Sequence, residues 1–322
     1  MQAGRSVEEL IGAMLTELSD IIAVEKPDLV LVHGDTMTTF IGAYAAFLKQ
    51  VPIGHVEAGL RTYNKYSLFP EEMNRQMVSQ MASYHFAPTE RNKEHLLKEN
   101  INENTIYVVG NTVIDALLEI ASKPKLLNSE LHSIFSNSLK TILLTTHRRE
   151  NLGELQNIYE AVNQLVEDHP DIQVIFPVHK NPKVREKVLS SYQNTERVHL
   201  IEPLDYETFV HVMKHCYLVI TDSGGIQEEA PSLGKPVLFA RDTTERPEGV
   251  EAGTLKLVGT SAQMIYDECS KLIREPSEYQ KMKEIRNPFG EGDTSKKIVE
   301  IIKLIFHDKV YKEHLLGHMN VR

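Results

Sequence analysis

The sequence of 322 residues contains only two cysteines, Cys216 and Cys269. Two cysteines do not make a disulfide framework, and such scarcity is typical of proteins kept in a reducing compartment. No apolar run approaches the length of a membrane-spanning helix, and the N-terminus lacks the apolar segment of a secretory signal peptide. These absences predict a cytoplasmic protein that has no membrane partner.

The chain is also poor in clustered positive charge. It carries 35 Lys and Arg against 45 Asp and Glu, a formal net charge of −10, and no basic run is long enough to follow a nucleic-acid backbone. We therefore expect no nucleic-acid partner. The apolar content of 41% and the charged content of 25% are typical of a globular protein, and the length predicts two domains.

Short β-branched and apolar runs alternate with helical patterns throughout the chain. Continuous apolar strands separated by helices are typical of parallel sheets that are covered on both faces. The sequence therefore predicts the α/β class, with two doubly wound, Rossmann-like domains. The predicted strands are 28–32, 52–56, 84–87 and 106–109 in the first half, and 141–145, 172–178, 198–201, 217–220, 236–240 and 254–258 in the second half.

We predict an N-terminal domain over residues 1–120 and a C-terminal domain over residues 136–290. Residues 121–140 are weakly patterned and read as the passage between the domains. A C-terminal helix and tail over residues 291–322 would pack back toward the N-terminal domain. Two facing domains of this type bind a ligand beyond the carboxyl ends of their strands.

The most informative motif is Ser223-Gly224-Gly225, which follows a predicted strand and precedes Glu228 and Glu229. Such a turn presents backbone N–H groups and the positive end of a helix dipole, which together favour phosphate. The two glutamates would repel a bare anion, whereas a nucleotide can place its phosphates on the glycines and its ribose on Glu229. A capped turn with favourable first-turn acids is the structural alternative, and the motif alone leaves both open.

Three carboxyl groups are predicted to share one rim of the first domain. Asp35 and Glu57 follow the first two strands, and Glu71 begins a helix after Pro70. Consecutive strands are often neighbours in a parallel sheet. Like charges in a confined site raise at least one pKa, which suits proton transfer near neutral pH. As structural alternatives, Asp35 caps a turn, Glu57 pairs with a residue such as Arg61, and Glu71 is a first-turn acid favoured by the dipole.

Three basic side chains follow predicted strands of the second domain: His147, His179 and Arg246. An arginine close to a phosphate-binding turn suits a charge clamp. His147 has an alternative as a loop histidine paired with Glu150. No further ligands stand at metal-binding spacing around His147, so we predict no metal.

With these residues assembled, the chain closely resembles the non-hydrolysing UDP-N-acetylglucosamine 2-epimerases of bacteria. The similarity extends in order from the first few residues to about residue 305. The matching stretches are His33-Gly34-Asp35-Thr36, 55–61, Pro70-Glu71-Glu72-Met73-Asn74-Arg75, Gly110-Asn111-Thr112, 146–151, Pro177-Val178-His179 and 221–248.

The resemblance implies the glycosyltransferase-B architecture of two Rossmann-like domains, usually in a homodimer. It implies interconversion of UDP-GlcNAc and UDP-ManNAc by inversion at C2, with no metal and no other cofactor, for precursors of bacterial surface polysaccharide. The implied route removes the C2 proton and eliminates UDP to give 2-acetamidoglucal. UDP then adds back after reprotonation from the opposite face.

The resemblance also assigns roles position by position. The family's catalytic residues correspond to Asp35, Glu57, Glu71 and His147. The UDP-sugar contacts correspond to Leu204 (backbone beside the base), Phe209 (near the uracil), Ser223, Gly224 and Gly225 (diphosphate), Glu229 (ribose) and Arg246 (phosphate). Arg148 and His179 fall near a second, regulatory UDP-GlcNAc site.

The sequence departs from the family pattern at its start and at Tyr63. Family members begin with a strand that runs into a Gly-Thr-Arg-Pro-Glu loop, followed by two further strand–helix units, before the segment that matches residues 1–5. We therefore expect an incomplete N-terminal domain, with the strand 28–32 at an exposed edge, and impaired activity. Tyr63 stands where the family commonly has a small residue. The alternatives to an epimerase are a UDP-sugar hydrolase or glycosyltransferase, and a catalytically impaired UDP-sugar-binding or dimerisation protein.

Overall fold

A computed structural model of the protein describes residues 6–66, 69–146, 155–178, 182–192 and 195–319. Its strands are β1 (Val30–His33), β2 (Ile53–Val56), β3 (Tyr84–Ala87), β4 (Ile106–Val108), β5 (Lys140–Thr145), β6 (Ile172–Pro177), β7 (Val198–Ile201), β8 (Leu218–Thr221), β9 (Val237–Phe239) and β10 (Leu255–Leu257).

The helices alternate with these strands, as expected for parallel sheets. They are α1 (Val7–Glu25), α2 (Met37–Leu48), α3 (Glu71–Met81), α4 (Glu90–Lys98), α5 (Thr112–Ser122), α6 (Ser129–Phe135), α7 (Leu155–Asp168), α8 (Pro182–Ser191), α9 (Tyr206–His215), α10 (Ile226–Ser232), α11 (Pro247–Ala252), α12 (Ala262–Arg274), α13 (Pro276–Glu284) and α14 (Thr294–Met319).

The chain forms two compact units. The first comprises Met1–Thr112 together with Asp293–Arg322, and the second comprises Val113–Gly292. The stretch 121–140, which read as a passage between domains, contains α6 and belongs to the second unit, where Leu131 and Ile134 are buried in the core. The domain limits taken from the sequence stay predictions.

The second unit is built on a six-stranded parallel sheet in the order β10-β9-β8-β5-β6-β7. Counted from β5, this is the strand order 3-2-1-4-5-6 of the doubly wound fold. Alternate residues of β5 enter different cores: Ile142 and Leu144 pack with α7 and α12, while Leu143 packs on the opposite face with α6 and α9. Both faces of the sheet are therefore covered by helices.

The first unit is built on a four-stranded parallel sheet in the order β1-β2-β3-β4. The strands pair contiguously, and β1 forms one edge, as predicted, where Leu31 is 50% exposed. Val32 and Ile53 pack under α1, α2 and α3, and Phe86 packs with Ile298 of α14. The predicted α/β class with two Rossmann-like parallel-stranded domains is confirmed.

No helix in the described ranges is both long enough and apolar enough to cross a membrane.

Candidate active site

Asp35 lies between the carboxyl end of β1 and the start of α2, and its backbone is fixed on both sides. Gly34 before it has a φ of +72°, a conformation that glycine adopts readily. Thr36 after it caps α2, since its hydroxyl accepts a hydrogen bond from the N–H of Thr39 at 3.3 Å. The ring nitrogen Nε2 of His55 lies 2.8 Å from the carbonyl oxygen of Gly34.

The carboxylate of Asp35 is held by α3. Arg75 donates from Nη1 to Asp35 Oδ2 at 2.6 Å, and Asn74 donates to the backbone carbonyl of Asp35 at 2.9 Å. Burial raises the pKa of Asp35 above its ordinary value; the Arg75 charge opposes this shift, and the charges of Glu57 and Glu71 add to it. The structure therefore brings these three carboxyl groups into one electrostatic neighbourhood within the first unit.

Glu57 follows β2 in a left-handed backbone conformation, with a φ of +64°. This is uncommon for a residue that has a side chain. Glu57 Oε2 lies 3.3 Å from Nε2 of His33, and a Cβ atom at Gly34 would lie 3.4 Å from the same oxygen. The structural alternative for Glu57, a pairing with Arg61, is not observed. Arg61 points away and binds both carboxylate oxygens of Glu99, at 2.7 and 2.8 Å.

Glu71 is the first residue of α3, and the adjacent Glu72 is more deeply buried. Glu72 lies three residues before Arg75, and the two side chains form an ion pair on the same helix. Sequence reasoning singled out Glu71 and missed Glu72. The spacing of three between an acid and an arginine on one predicted helix was the available signal.

In the second unit, the Ser-Gly-Gly turn connects β8 to α10. Thr221 at the end of β8 accepts a hydrogen bond from the N–H of Ser223 at 3.0 Å, and its hydroxyl lies 2.6 Å from that of Thr145. Within the described residues, the N–H groups of Gly224 and Gly225 donate to no protein acceptor. These N–H groups are therefore available to an anion.

Gly225 is not required by the fold itself. Its φ is −66°, an ordinary value, and the nearest atom to an added Cβ, outside the adjoining residues, would be Glu229 Oε2 at 3.9 Å. A glycine that neither the backbone conformation nor the packing demands suits a place where a ligand approaches the main chain.

Arg246 lies beside the same turn, between two acids. Its Nε donates to Glu228, and its Nη1 donates to Glu245 at 2.7 Å. The expected repulsion between an anion and the two glutamates of α10 is thereby reduced, because Glu228 is already paired with an arginine. Glu229, the other acid in the first turn of α10, has a different partner.

That partner is Tyr206, whose hydroxyl donates to Glu229 Oε1. Burial raises the pKa of Glu229, and the hydrogen bond from Tyr206 only partly opposes the shift. Phe209, three residues further along α9, and Leu204 are half-buried against the core of the second unit. Sequence reasoning missed Tyr206, although its spacing from Phe209 places both on one helix face.

The remaining predicted residues, His147, Arg148 and His179, lie outside the described residues. Their roles stay predictions. Within the described ranges, no group of three or more His, Cys, Asp or Glu side chains is arranged to hold a metal ion.

We expect His55 to make the protein less stable as the pH falls from about 6.5 towards 4. Burial lowers the pKa of His55 from 6.5 to about 4, so the unfolded chain binds a proton that the folded chain does not. The free energy of unfolding should therefore decrease by roughly 2 kcal/mol between pH 7 and pH 5 on account of this group. Urea denaturation at the two pH values measures the change.

The variant His55→Gln should lose that part of the pH dependence, whereas His132→Gln, at an exposed position, should keep it. Equal pH dependence in wild type and His55→Gln would contradict the assignment.

Comparisons with known proteins identify the family of the chain. The profile of the family described as UDP-N-acetylglucosamine 2-epimerase matches residues 2–303. The UDP-N-acetylglucosamine 2-epimerase of Bacillus subtilis (strain 168) is 50% identical over 321 residues, which cover 97% of this chain and 81% of the relative.

Two solved structures show the same similarity. The UDP-GlcNAc 2-epimerase from Neisseria meningitidis bound to UDP-GlcNAc superposes with a TM-score of 0.83 at 46% identity, over 94% of this chain and 83% of that one. The Methanocaldococcus jannaschii UDP-GlcNAc 2-epimerase in complex with UDP-GlcNAc and UDP gives 0.74 at 36% identity, over 94% of this chain and 82% of that one. The chain belongs to the UDP-N-acetylglucosamine 2-epimerase family.

Proposed function

We propose that the protein interconverts UDP-GlcNAc and UDP-ManNAc by inverting C2 of the sugar. The observation that carries the proposal is that, in a chain of this family, Glu57 lies against the turn before Asp35 and the charges of Glu57 and Glu71 both act on the Asp35 carboxyl group. Inversion removes a proton from one face of C2 and returns one to the other face, so it needs acid–base groups on both sides. A carboxyl group whose pKa is raised, as at Asp35, suits such an exchange.

The proposed route has two balanced stages. A base takes the C2 proton while the bond between C1 and the UDP oxygen breaks with its electron pair going to UDP, which leaves 2-acetamidoglucal. UDP then re-forms the bond at C1 as an acid delivers a proton to the opposite face of C2. We assign Asp35, Glu57, Glu71 and His147 to these proton transfers and to the charge that develops on UDP. The sugar is neither oxidised nor reduced overall, so the reaction needs no redox cofactor.

We assign the UDP moiety to the second unit. The diphosphate would be bound by Ser223, Gly224 and Gly225, the ribose by Glu229, and a phosphate by Arg246, with Phe209 and Leu204 beside the base. The support is that the glycine N–H groups have no protein acceptor among the described residues and that the fold does not require glycine at position 225. Arg148 and His179 are kept as proposed contacts of a regulatory site.

The first test follows purified protein and UDP-GlcNAc in D₂O by proton NMR. Epimerisation gives UDP-ManNAc with deuterium at C2 and no loss of the nucleotide. Free ManNAc together with UDP would instead identify a hydrolase. Binding of UDP in calorimetry without any C2 exchange would identify a nucleotide-sugar-binding protein.

We expect Gly225→Ala to weaken UDP binding about tenfold or more, which corresponds to about 1.4 kcal/mol. The added methyl group would occupy the space through which the diphosphate reaches the main chain, while the fold offers it room. Titration calorimetry with UDP measures the loss. Uridine, which has no phosphate, serves as the control ligand, and its affinity should not change.

A thermal unfolding midpoint close to that of wild type would show that the variant is folded. Equal affinity of wild type and Gly225→Ala for UDP would show that the diphosphate does not bind at this turn.

We also propose a homodimer in the cytoplasm that supplies precursors of surface polysaccharide. The location is supported by the two cysteines, which are buried and free of disulfide bonds. The dimer rests on the family resemblance, and light scattering on purified protein tests it.

A further inference from the structure

Arg75 is a buried arginine placed between two carboxylates. It is 2% exposed, and its Nη1 lies 2.6 Å from Asp35 Oδ2. On its other side, Nη2 and Nε donate to the same oxygen of Glu72, at 2.9 and 3.3 Å. One guanidinium therefore binds a proposed proton-transfer group and a second acid at the same time.

Glu72 is completely buried and ties α3 to the loop that follows Glu57. Its Oε2 accepts from the N–H of Thr62 at 2.8 Å and from the hydroxyl of the same residue at 3.0 Å. Its Oε1 accepts from the N–H of Tyr63 at 3.1 Å and from Gln76 at 2.9 Å. Burial acts to raise the pKa of Glu72, but these hydrogen bonds and Arg75 outweigh it and lower the pKa. Glu72 is thus held in its ionised form.

The two residues join the chain segments that carry the three carboxyl groups among the proposed acid–base residues. Asp35 is bound directly by Arg75, Glu71 precedes Glu72 in α3, and the loop bound by Glu72 begins shortly after Glu57. The contact with Asp35 distinguishes Arg75 from a buried residue that only fills the core.

We propose that Arg75 and Glu72 are positioning residues for C2 epimerisation: Glu72 orients Arg75 and offsets part of its charge, and Arg75 fixes the orientation and charge of the Asp35 carboxylate. The inference rests on the proposed function. Neither residue is given contact with the substrate.

The electrostatics make the proposal specific. Two charged groups of α3, Arg75 and Glu71, act on Asp35, and so does the carboxylate of Glu57 after β2. His33 of β1 lies next to Glu57. Removing the Arg75 charge should raise the pKa of Asp35. Removing the Glu72 charge should lower it, because Arg75 would then act on Asp35 without a competing acid.

The experiment measures kcat and kcat/KM against pH for wild type, Arg75→Gln, Arg75→Lys and Glu72→Gln. We expect Arg75→Gln to lower kcat by about 10²-fold, as for a displaced catalytic group, and to move the acid limb of the profile up by about one pH unit. Glu72→Gln should move the limb down. Arg75→Lys keeps the charge and should restore most of the limb position but not all of kcat.

Arg61→Gln is the matched control. Arg61 is also buried and paired with an acid in the same unit, but its partner is Glu99. We expect the control to lose stability without moving the acid limb. Equal limbs in all the variants, or a shift as large in Arg61→Gln as in Arg75→Gln, would overturn the proposal.

A readout that needs no turnover separates this inference from the proposed function. Carbon-13 NMR of carboxyl-labelled aspartate, with the Asp35 signal identified by its loss in Asp35→Asn, gives the pKa of Asp35 in wild type, Arg75→Lys and Glu72→Gln. If the wild type is inactive and Glu72→Gln lowers that pKa, the proposed epimerase activity is wrong, but the effect of Arg75 and Glu72 on Asp35 is confirmed. If the wild type is active and the pKa of Asp35 is unchanged in Glu72→Gln, only the positioning role of Arg75 and Glu72 is wrong. The NMR measurement does not use Arg75→Gln, so it tests the proposal even if that variant does not fold.

Discussion

Replacing Asp35 with asparagine is expected to lower the rate of C2 epimerisation by about 10²–10⁴-fold, the range for loss of a general acid or base. Asparagine has nearly the same size as aspartate, and its oxygen can still accept the hydrogen bond from Arg75 that the carboxylate now accepts. It cannot take up or release a proton at the working pH. The rate of UDP-ManNAc formation and the rate of deuterium incorporation at C2 should fall together.

Binding of UDP should change less than about twofold in the same variant, because the contacts proposed for UDP are made by other residues; a twofold change is within about 0.4 kcal/mol. The matched control is Asp28→Asn, an exposed aspartate just before β1. We expect that control to keep the wild-type rate. An Asp35→Asn variant with more than a tenth of the wild-type rate would show that Asp35 does not transfer the proton.

The strands could be predicted closely because burial in a parallel sheet leaves a direct trace in the sequence. Each of the ten observed strands lies within two residues of its predicted limits. Val219 and Ile220 of β8 show why: neighbouring residues of a central strand enter opposite cores, so both must be apolar. The short helix α6 left no comparable trace, because only Leu131 and Ile134 are buried in it.

The positions of the candidate site residues along the chain could also be predicted, since a polar residue directly after an apolar strand is easily recognised in the sequence. Asp35 and Glu57 follow β1 and β2, and Ser223 follows β8. The side-chain partners were not readable in the same way. Arg61 and Glu99 are 38 residues apart, and Arg75 and Asp35 are 40 apart. Such pairs depend on how helices pack against the sheet.

Backbone conformation was a third matter that residue patterns did not give. Glu57 and Tyr63 both have positive φ, at +64° and +57°. The departure expected at Tyr63 thus falls on a residue whose backbone conformation glycine adopts more readily than tyrosine. The Tyr63 ring packs edge-on to His95 at 5.3 Å between centroids, a contact that a glycine could not make.

Gly59, two residues after Glu57, is a position in this unit where we expect a single methyl group to lower the stability strongly. Its φ is +90°, and a Cβ atom would lie 2.3 Å from the carbonyl oxygen of Asn92, a main-chain atom of α4. We expect Gly59→Ala to reduce the free energy of unfolding by about 2–5 kcal/mol, combining the left-handed conformation with overpacking against backbone. Urea denaturation measures this loss.

The control Gly12→Ala makes the same chemical change inside α1, where, among the described residues, no atom beyond the adjoining helix backbone lies within 4 Å of the new methyl group. It should increase the free energy of unfolding by about 0.5–1 kcal/mol, because alanine favours a helix over glycine. A Gly59→Ala protein as stable as wild type would show that α4 and the loop after β2 can separate without cost. The loop would then be loosely held, whereas a large loss means that the backbone conformation of Gly59 and its close packing on Asn92 stabilise the loop that follows Glu57.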